Sequence, residues 1–442
     1  IQKQLKSSVW HPNTQMSEWD SFDKIIKGKG MWLIDSNGNK MLDGVASMWC
    51  NVWGHSNQEL VKSITNQSKK LQHSSMFNLT NEPAEKLADS LVKISPQMHK
   101  VFYSDNGSSA MEIAIKIALQ YWRNIGEKKK TEIATLKNGY HGDTFGAMSV
   151  GYVPEFFGKF KKQLFPTIQF PVPNKYRVPK GMSLSDYQND CLEKIEKRFS
   201  KKNNIAAFVM ESGAQVAGGV IVYPKGFQQK INQLCKKYNI LFVLDEIATG
   251  FGRLGSMVQY TEQKSTPDIV AYGKMLTGGY ITMAATLTTK KIYDSFLGEF
   301  NDWRHLFHGH TYTGNPLSAA VANENLKMYQ KYSLIKKIQK TSKIFERYYQ
   351  EISELDIVGD IRHKGMLMGI ELVSDKKKKS PIHPKKSINK IFFEQGKKQG
   401  IYLRTLGNIV MLVPPLAISE KELELLINRT ISTIKTAKSQ LI

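Results

Sequence analysis

The sequence contains little cysteine: only Cys50, Cys191 and Cys235 occur among its 442 residues. Three cysteines without CxxC spacing argue against a disulfide framework and against a zinc site. No apolar run approaches the roughly 20 residues needed to span a bilayer, and the first residues, IQKQLKSSVWHP, lack the apolar core of a secretory signal. We therefore expect a protein of the reducing cytoplasm without a membrane segment.

Acidic residues are few relative to basic ones: 39 Asp and Glu stand against 62 Lys and Arg, which gives a formal net charge of +23. This balance raises the question of nucleic-acid binding, because clustered cations release counterions from phosphate backbones. The lysines are nevertheless spread along the chain, and the run at 376–379 lies in SDKKKKSPIHPKKS, which is typical of a solvated loop. We expect anionic small molecules as partners, and neither nucleic acid nor a membrane.

Short apolar segments alternate with longer helical stretches through the middle of the chain. They are HKVFYSD, EIATLK, IAAFVMES, NILFVLDE, PDIVAYG and TMAATLTTK. This alternation predicts an α/β fold, in which a mainly parallel sheet is covered by helices on both faces. We assign it to a large domain at residues 56–319. Residues 1–55 and 320–442, which include GMLMGIELV and GIYLRTLGNIVMLVPP, are predicted to form a smaller α+β domain.

Two of the predicted strands end in groups of opposite charge: Asp245 ends LFVLD and Lys274 follows DIVAYG. Parallel sheets bind ligands at the carboxyl ends of their strands. A lysine can hold an aldehyde as a Schiff base, and a carboxylate can keep a pyridine nitrogen protonated, so the pair indicates pyridoxal phosphate (PLP) and amino-group transfer. The simpler alternatives are a surface cation for Lys274 and a helix cap for Asp245.

The segment VFYSDNGSSAMEIAIKIALQYW predicts a strand, a turn and a mostly buried helix. The strongly polar residues of this helix lie four apart on one narrow stripe: Glu112, Lys116 and Gln120. Glu112 and Lys116 are expected to pair along it. The amides of Gly107, Ser108 and Ser109 at the helix start would form an anion site, although an ordinary capped helix has the same pattern.

Two other patterns do not carry a function. GFGRLG at 250–255 has the glycine spacing of dinucleotide folds, but it does not join a strand directly to a helix, so we reject a nicotinamide cofactor. The histidines of HLFHGH at 305–310 have no cysteine or acidic partner at a recognised interval, so we expect no metal.

Several segments resemble those of one enzyme family. NGYHGDTFGAMSV, LFVLDEIATGFGR, YGKMLTGG and HTYTGNP are similar to the signature segments of the class III aminotransferases, which have PLP fold type I. WHPNTQM, DGVASMWCNVWGH and YLRTLGNIVMLVPP most resemble the branch of that class that aminates 8-amino-7-oxononanoate in biotin biosynthesis. The resemblance covers almost the whole chain. It implies a mainly parallel seven-stranded sheet in the large domain and a homodimer with shared active sites.

The resemblance also implies how the cofactor ring is held. Lys274 would attach it covalently, and Asp245 would pair with its pyridine nitrogen. Tyr140 and Ile247 would cover the two faces of the ring. Packing alone is the simpler alternative for Tyr140 and for the neighbouring His141, because aromatic residues are more often core than catalytic.

The phosphate and the substrates would be held by other residues. Gly107 and Ser108 would bind the phosphate, assisted by Thr311 of the partner subunit. Arg404 would bind the substrate carboxylate, which suits a guanidinium just after an apolar strand, although a structural arginine is the alternative. The remaining residues of the implied substrate site are Trp49, which would line the channel, Tyr140, Asp143 and Gly309.

S-adenosylmethionine is the slightly favoured amino donor, and lysine stays open as the alternative. Members of the family that use S-adenosylmethionine have an aromatic residue at the position of Asn13 and a Trp-Trp pair where this chain has Met48-Trp49. Two alternative functions remain for the protein. One is a class III aminotransferase that acts on an ω-amino acid or diamine with an α-keto acid, and the other is a non-catalytic basic binding protein with the same fold.

Overall fold

The computed structural model describes residues 7–383 and 385–442. Its strands are β1 (Ile25–Lys29), β2 (Trp32–Asp35), β3 (Lys40–Asp43), β4 (Met98–Ser104), β5 (Glu132–Leu136), β6 (Ile168–Phe170), β7 (Ile205–Glu211), β8 (Ala214–Gln215), β9 (Ile221–Val222), β10 (Leu241–Asp245), β11 (Ile269–Tyr272), β12 (Ala284–Thr289), β13 (Val358–Lys364), β14 (Leu367–Asp375), β15 (Ser380–Pro381), β16 (Ile401–Tyr402), β17 (Arg404–Leu406) and β18 (Ile409–Leu412).

The α-helices are α1 (Ala46–Trp49), α2 (Gln58–Ser68), α3 (Glu82–Ile94), α4 (Gly107–Asn124), α5 (Phe145–Val150), α6 (Pro154–Phe157), α7 (Leu184–Lys201), α8 (Phe227–Lys237), α9 (Gln259–Glu262), α10 (Lys290–Asp294), α11 (Pro316–Lys331), α12 (Leu334–Thr341), α13 (Ile344–Arg347), α14 (Tyr349–Glu354), α15 (Ile388–Lys398) and α16 (Glu420–Leu441). In the described part of the chain, no helix has the length and apolar character needed to cross a bilayer.

Seven strands form the central sheet, in the order β4-β12-β11-β10-β7-β5-β6. Only β12 opposes the common direction, because it is antiparallel to both β4 and β11. Strands β7 and β10 are buried at every position, as expected where helices cover both faces of a sheet. The predicted α/β fold with a mainly parallel seven-stranded sheet is confirmed.

Some strands were not predicted. β6 has only three residues, between Pro166 and Pro171, and is too short to show a periodicity. β1 is largely exposed, and β13 is only partly buried, so neither has a clear apolar pattern. β3 pairs in parallel with β16, which joins the N-terminal segment to the C-terminal part of the chain. This pairing supports the proposed division into 56–319 and 1–55 with 320–442, which stays a prediction.

Helix α4 positions the site. Most of its surface is buried, and it packs against β7, β11 and β12. Its apolar side chains therefore fix the helix on the sheet, while Asn106 caps its first turn. The helix N-terminus consequently lies at the edge where the parallel strands end.

Candidate active site

A cavity of about 630 Å³ opens at this edge of the sheet. It lies where β7, β10 and β11 end, which is where parallel sheets bind ligands. The predicted site residues in its walls are Trp49, Gly107, Ser108, Tyr140, Asp143, Asp245, Ile247 and Lys274. The fold thus brings together residues that are up to 225 positions apart in sequence, from 49 to 274.

Lys274 follows β11 after Gly273, and its half-buried side chain lines the cavity. Its φ is +43°, a backbone conformation that non-glycine residues rarely adopt and that is enriched at functional sites. Burial lowers the pKa of its amine, and the carboxylates of Asp245 and Glu211 act in the opposite sense. The Trp49 ring faces Nζ at 5.6 Å from its centroid. A lysine in such surroundings reaches its neutral, nucleophilic form more easily than a surface lysine does.

Asp245 ends β10 and is almost fully buried. Both of its carboxylate oxygens are engaged: Oδ1 accepts a hydrogen bond from Ile247 N at 2.9 Å, and Oδ2 lies 2.8 Å from His141 Nδ1. His141 is buried too, so its contact with Asp245 goes beyond the packing role that the sequence indicated. The only sequence signal for it was its place in NGYHG after a strand. The Ile247 amide and the His141 ring therefore fix the orientation of the carboxylate in the cavity wall.

Glu211 is a cavity residue that sequence reasoning missed. It ends β7 directly opposite Asp245, and it is buried. Its oxygens accept hydrogen bonds from Tyr140 N at 3.3 Å and Val216 N at 2.9 Å. Burial raises the pKa of Glu211 to about 7, and His141 acts in the opposite sense. The signal that led to Asp245, a carboxylate at the end of an apolar strand, was present here as well.

The start of α4 forms part of the cavity wall. Asn106 Oδ1 accepts from Ser109 N at 2.9 Å, so the Ser109 amide expected in the anion site is already used by the cap. Gly107 and Ser108 line the cavity, where the helix dipole favours an anion. Glycine is needed at Gly107, because a Cβ there would lie 2.8 Å from the Ile247 side chain. The first turn therefore fits a phosphate held by two residues.

Glu112 connects α4 to the segment at 140–147, which consists of a loop and the first turn of α5. Its carboxylate accepts hydrogen bonds from the Thr144 hydroxyl and from the amides of residues 146 and 147, the last two at 2.7 and 3.0 Å. The predicted pair of Glu112 and Lys116 is therefore wrong. Lys116 Nζ instead lies 3.1 Å from His308 Nδ1. Three donors at the start of α5 satisfy this carboxylate better than a single exposed lysine on α4 would.

Tyr140 lies on this loop and lines the cavity. Its hydroxyl donates to Asp143 Oδ1 at 3.1 Å, and its ring stacks against Phe157 with 6.1 Å between centroids. Burial raises the pKa of Tyr140 above its ordinary value, so the hydroxyl stays protonated. Thr144 N donates to Ser108 Oγ at 3.0 Å and fastens the same loop to the start of α4.

The predicted site residues outside this cavity are Gly309, Thr311 and Arg404. Gly309 and Thr311 are exposed in the segment before α11. Arg404 begins β17, where its Nη1 lies 3.8 Å from Met48 Sδ, and it forms no ion pair within the described part of the chain. Asn13 is exposed and also lies outside the cavity.

The cavity residues fit pyridoxal phosphate. Lys274 offers an amine to the aldehyde, Asp245 offers a buried carboxylate to the ring nitrogen, and the N-terminus of α4 faces the place for a phosphate. A lysine after one strand and a carboxylate at the end of its neighbour, on a mainly parallel seven-stranded sheet, define a PLP-dependent enzyme of fold type I.

The chain belongs to the class III aminotransferases. The family model described as aminotransferase class-III matches residues 16–434. The predicted family and the predicted cofactor are thereby confirmed, and the enzyme is a PLP-dependent aminotransferase that acts on small molecules.

Relatives match over almost the whole chain. A protein of Staphylococcus aureus named adenosylmethionine-8-amino-7-oxononanoate aminotransferase is 44% identical over 430 residues, which cover 95% of this chain and 94% of that protein. A protein of the same name from Geobacter sulfurreducens is 41% identical over 433 residues, with 97% and 96% covered.

Solved structures agree with these sequence matches. The crystal structure of adenosylmethionine-8-amino-7-oxononanoate aminotransferase from Methanocaldococcus jannaschii has a TM-score of 0.90 at 41% identity, with 97% of each chain covered. An omega transaminase from Pseudomonas jessenii, solved in complex with PMP, has a TM-score of 0.93 at 28% identity, with 98% of this chain and 97% of that chain covered.

Proposed function

We propose that this enzyme transfers an amino group to the ketone 8-amino-7-oxononanoate, which gives 7,8-diaminononanoate for biotin biosynthesis. The observation that carries the proposal is the identity of 40–44% over nearly the whole chain with aminotransferases named for that ketone. The reaction consists of two half-reactions. A donor transfers its amino group to the enzyme, and the ketone then accepts that amino group from the enzyme.

The cofactor is held by the residues of the cavity wall. Lys274 binds it covalently, Asp245 pairs with the pyridine nitrogen, and Tyr140 and Ile247 cover the two ring faces. Gly107 and Ser108 bind the phosphate at the start of α4. Support for this arrangement comes from the burial of Asp245, the contact between Gly107 and Ile247, and the joint position of these residues on one cavity.

Lys274 is also the group that moves protons. The bound cofactor supplies an electron sink for the carbanion formed when the amine-bearing carbon loses its proton. Lys274 Nζ takes that proton as a general base and returns one as a general acid. The pKa of Lys274 is lowered by burial, which increases the neutral fraction of the amine. His141 Nδ1 and Ile247 N orient the Asp245 carboxylate while this happens.

The substrate is bound beside Lys274. Arg404 binds its carboxylate, and Trp49 covers its methylene chain; Tyr140, Asp143 and Gly309 complete the site. Arg404 has no carboxylate partner within the described part of the chain, which leaves its guanidinium for an anionic ligand. The buried indole of Trp49 offers the apolar wall that a nine-carbon chain requires.

The active form is a homodimer, in which Thr311 of the partner subunit reaches the phosphate. Support comes from Thr311 and Gly309, which are exposed and do not line the cavity of their own subunit. The same region carries an exposed aromatic surface, formed by Phe77, Phe300, Trp303, Phe307 and Tyr312, of the kind that marks an interface. Analytical ultracentrifugation tests the dimer. Mixing inactive Lys274→Ala and Thr311→Ala chains tests the shared site, because mixed dimers would regain one intact site.

The cytoplasm is the proposed compartment, since all three cysteines are free thiols.

S-adenosylmethionine is the favoured donor. Lysine stays the second candidate, because Met48 and Asn13 depart from the aromatic pattern of S-adenosylmethionine users. The deciding experiment exposes the loaded enzyme to each amine separately and follows the loss of its visible absorbance. The aminated enzyme is then given 8-amino-7-oxononanoate or an α-keto acid such as pyruvate. Recovery of the absorbance with the α-keto acid alone would contradict the proposal and favour an ω-amino acid transaminase.

A further inference from the structure

Helix α1 (Ala46–Trp49) is a single distorted turn, with non-helical backbone angles at Ser47 and Met48. The φ angles are +49° at Ala46, +62° at Ser47 and +65° at Trp49, although none of these residues is glycine. Residues with a side chain are strained in this region, and they remain there only where the surrounding structure enforces it. The turn therefore needs an anchor.

Asp43 supplies the anchor from the end of β3, where it is fully buried. Its Oδ1 accepts from Val45 N at 3.1 Å, and its Oδ2 accepts from Ser47 N at 2.7 Å. A carboxylate accepts on both oxygens, whereas the NH₂ group of an amide would face one of these two donors. The charge and shape of Asp43 thus match the two amides of the turn.

His55 holds this carboxylate from the other side. Its Nε2 lies 3.1 Å from Asp43 Oδ2. Its own backbone exchanges hydrogen bonds with Gly30 in both directions, at 2.6 and 3.1 Å. Gly28 leaves space for the imidazole, since a Cβ there would lie 2.5 Å from the His55 Cβ. The ring is therefore fixed independently of Asp43.

The turn delivers two side chains to the site. The Trp49 ring faces Lys274 Nζ across 5.6 Å, and Met48 Sδ contacts the Arg404 guanidinium. Neither Asp43 nor His55 lines the cavity. Burial raises the pKa of the Cys50 thiol in the cavity wall, and the charge of Asp43 acts in the same sense. The hold of Asp43 on Trp49 and Met48, in contrast, passes through the turn, as does that of His55.

We propose that Asp43 and His55 are positioning residues of the active site. Together they hold the Ala46–Trp49 turn so that Trp49 faces Lys274 and Met48 meets Arg404. The inference rests on the proposed function only in treating Lys274 as the cofactor lysine, and it is independent of which amine or ketone the enzyme uses.

The thiol of Cys50 reports on this turn. Cys50 follows it directly and is half-buried, whereas Cys191 and Cys235 are fully buried. In the cofactor-free enzyme, Asp43→Asn and His55→Ala should speed the reaction of Cys50 with a disulfide reagent by about tenfold, the factor expected for loss of one hydrogen bond to a charged acceptor. His55→Gln keeps a donor near the position of Nε2 and should restore the slow rate.

Asp35→Asn is the matched control. Asp35 is buried at the end of β2 in the same sheet, and its Oδ1 accepts from Asn37 N and Asn39 N at 2.9 and 2.8 Å. Its replacement should lower the melting temperature without changing the labelling rate of Cys50. A wild-type rate in His55→Ala, or an equal increase in the control, would overturn the proposal. If Asp43→Asn does not fold, the His55→Ala and His55→Gln pair decides.

A second readout uses the loaded enzyme without substrate. The face of an indole stabilises a protonated nitrogen, here that of Lys274. Displacement of Trp49 should therefore lower, by about half a unit, the pH at which the visible absorbance of the loaded enzyme is half changed. The single variant His55→Ala should show this shift relative to the wild type. The double variant His55→Ala/Trp49→Ala should show no shift relative to Trp49→Ala. Equal shifts in both backgrounds would overturn the proposal. Absence of a visible band in the wild type would instead refute the proposed function, and the labelling of Cys50 would still test the turn.

Discussion

Replacement of Gly107 by alanine should weaken cofactor binding through one identifiable contact. The new Cβ would lie 2.8 Å from both Cδ1 and Cγ2 of Ile247, whereas ordinary carbon contacts are about 3.5–4.0 Å. Ile247 cannot simply retreat, because it is buried and its amide donates to Asp245 Oδ1 at 2.9 Å. The start of α4 must therefore shift, and with it the phosphate site.

The magnitude follows from the cost of overpacking, which is about 1–3 kcal/mol for an inserted methyl group. If the strain acts mainly on the loaded state, PLP affinity falls by about 5- to 150-fold. Ile247→Ala removes both contacting atoms, so the affinity loss in Gly107→Ala/Ile247→Ala should be smaller than the sum of the two single losses.

The assay titrates each cofactor-free variant with PLP and follows the visible absorbance. Gly158→Ala is the control, since a Cβ at Gly158 would meet nothing within 4 Å and its backbone is helical. Wild-type affinity in Gly107→Ala, or full additivity in the double variant, would refute the steric reasoning.

Three further predictions concern single side chains. Lys274→Ala should abolish turnover and the visible band, whereas Lys290→Ala on the surface should keep both; a Lys274 variant retaining either would contradict the assignment. The pKa of Glu211, about 7, lies above its ordinary value of 4.5, so its contribution to stability is present below about pH 4.5 and is lost as the pH rises through 7. Glu211→Gln should remove up to about 3 kcal/mol of this dependence in urea titrations of the cofactor-free enzyme, and parallel curves for variant and wild type would count against it. Arg404→Lys should raise the KM for 8-amino-7-oxononanoate by about tenfold with little change in kcat, because an ammonium cannot grip a carboxylate with two parallel hydrogen bonds; an unchanged KM in steady-state assays would exclude that role.

The position of Asp245 and Lys274 in one cavity could be predicted from sequence, because two independent patterns point to the same edge of the sheet. Each follows an apolar strand, and parallel strands bring their carboxyl ends to one edge. The same reasoning applied to Glu211, but a strand-end carboxylate has no sequence mark that distinguishes a cavity residue from a capping one. Its raised pKa depends on burial, which only the assembled sheet produces.

Other features depended on contacts that local patterns do not contain. Glu112 and Lys116 have ideal helical spacing, yet the carboxylate binds amides at the start of α5, more than 30 residues away. Ser109 was expected to leave its amide free, but the side chain of Asn106 binds it. The contact of His141 with Asp245 spans 104 positions. Such tertiary partners override the local preferences of a single element.

Glu112 also has a consequence for how molecules reach the cofactor. Because its carboxylate ties the segment after Tyr140 to α4, the proposed cover of the ring face and the proposed phosphate site at the helix start share one anchor. We expect substrates to enter and leave past Trp49, which lines the cavity, and its exposed neighbour Met48, neither of which Glu112 holds. The passage of substrates and the proposed anchoring of the cofactor would then depend on different side chains.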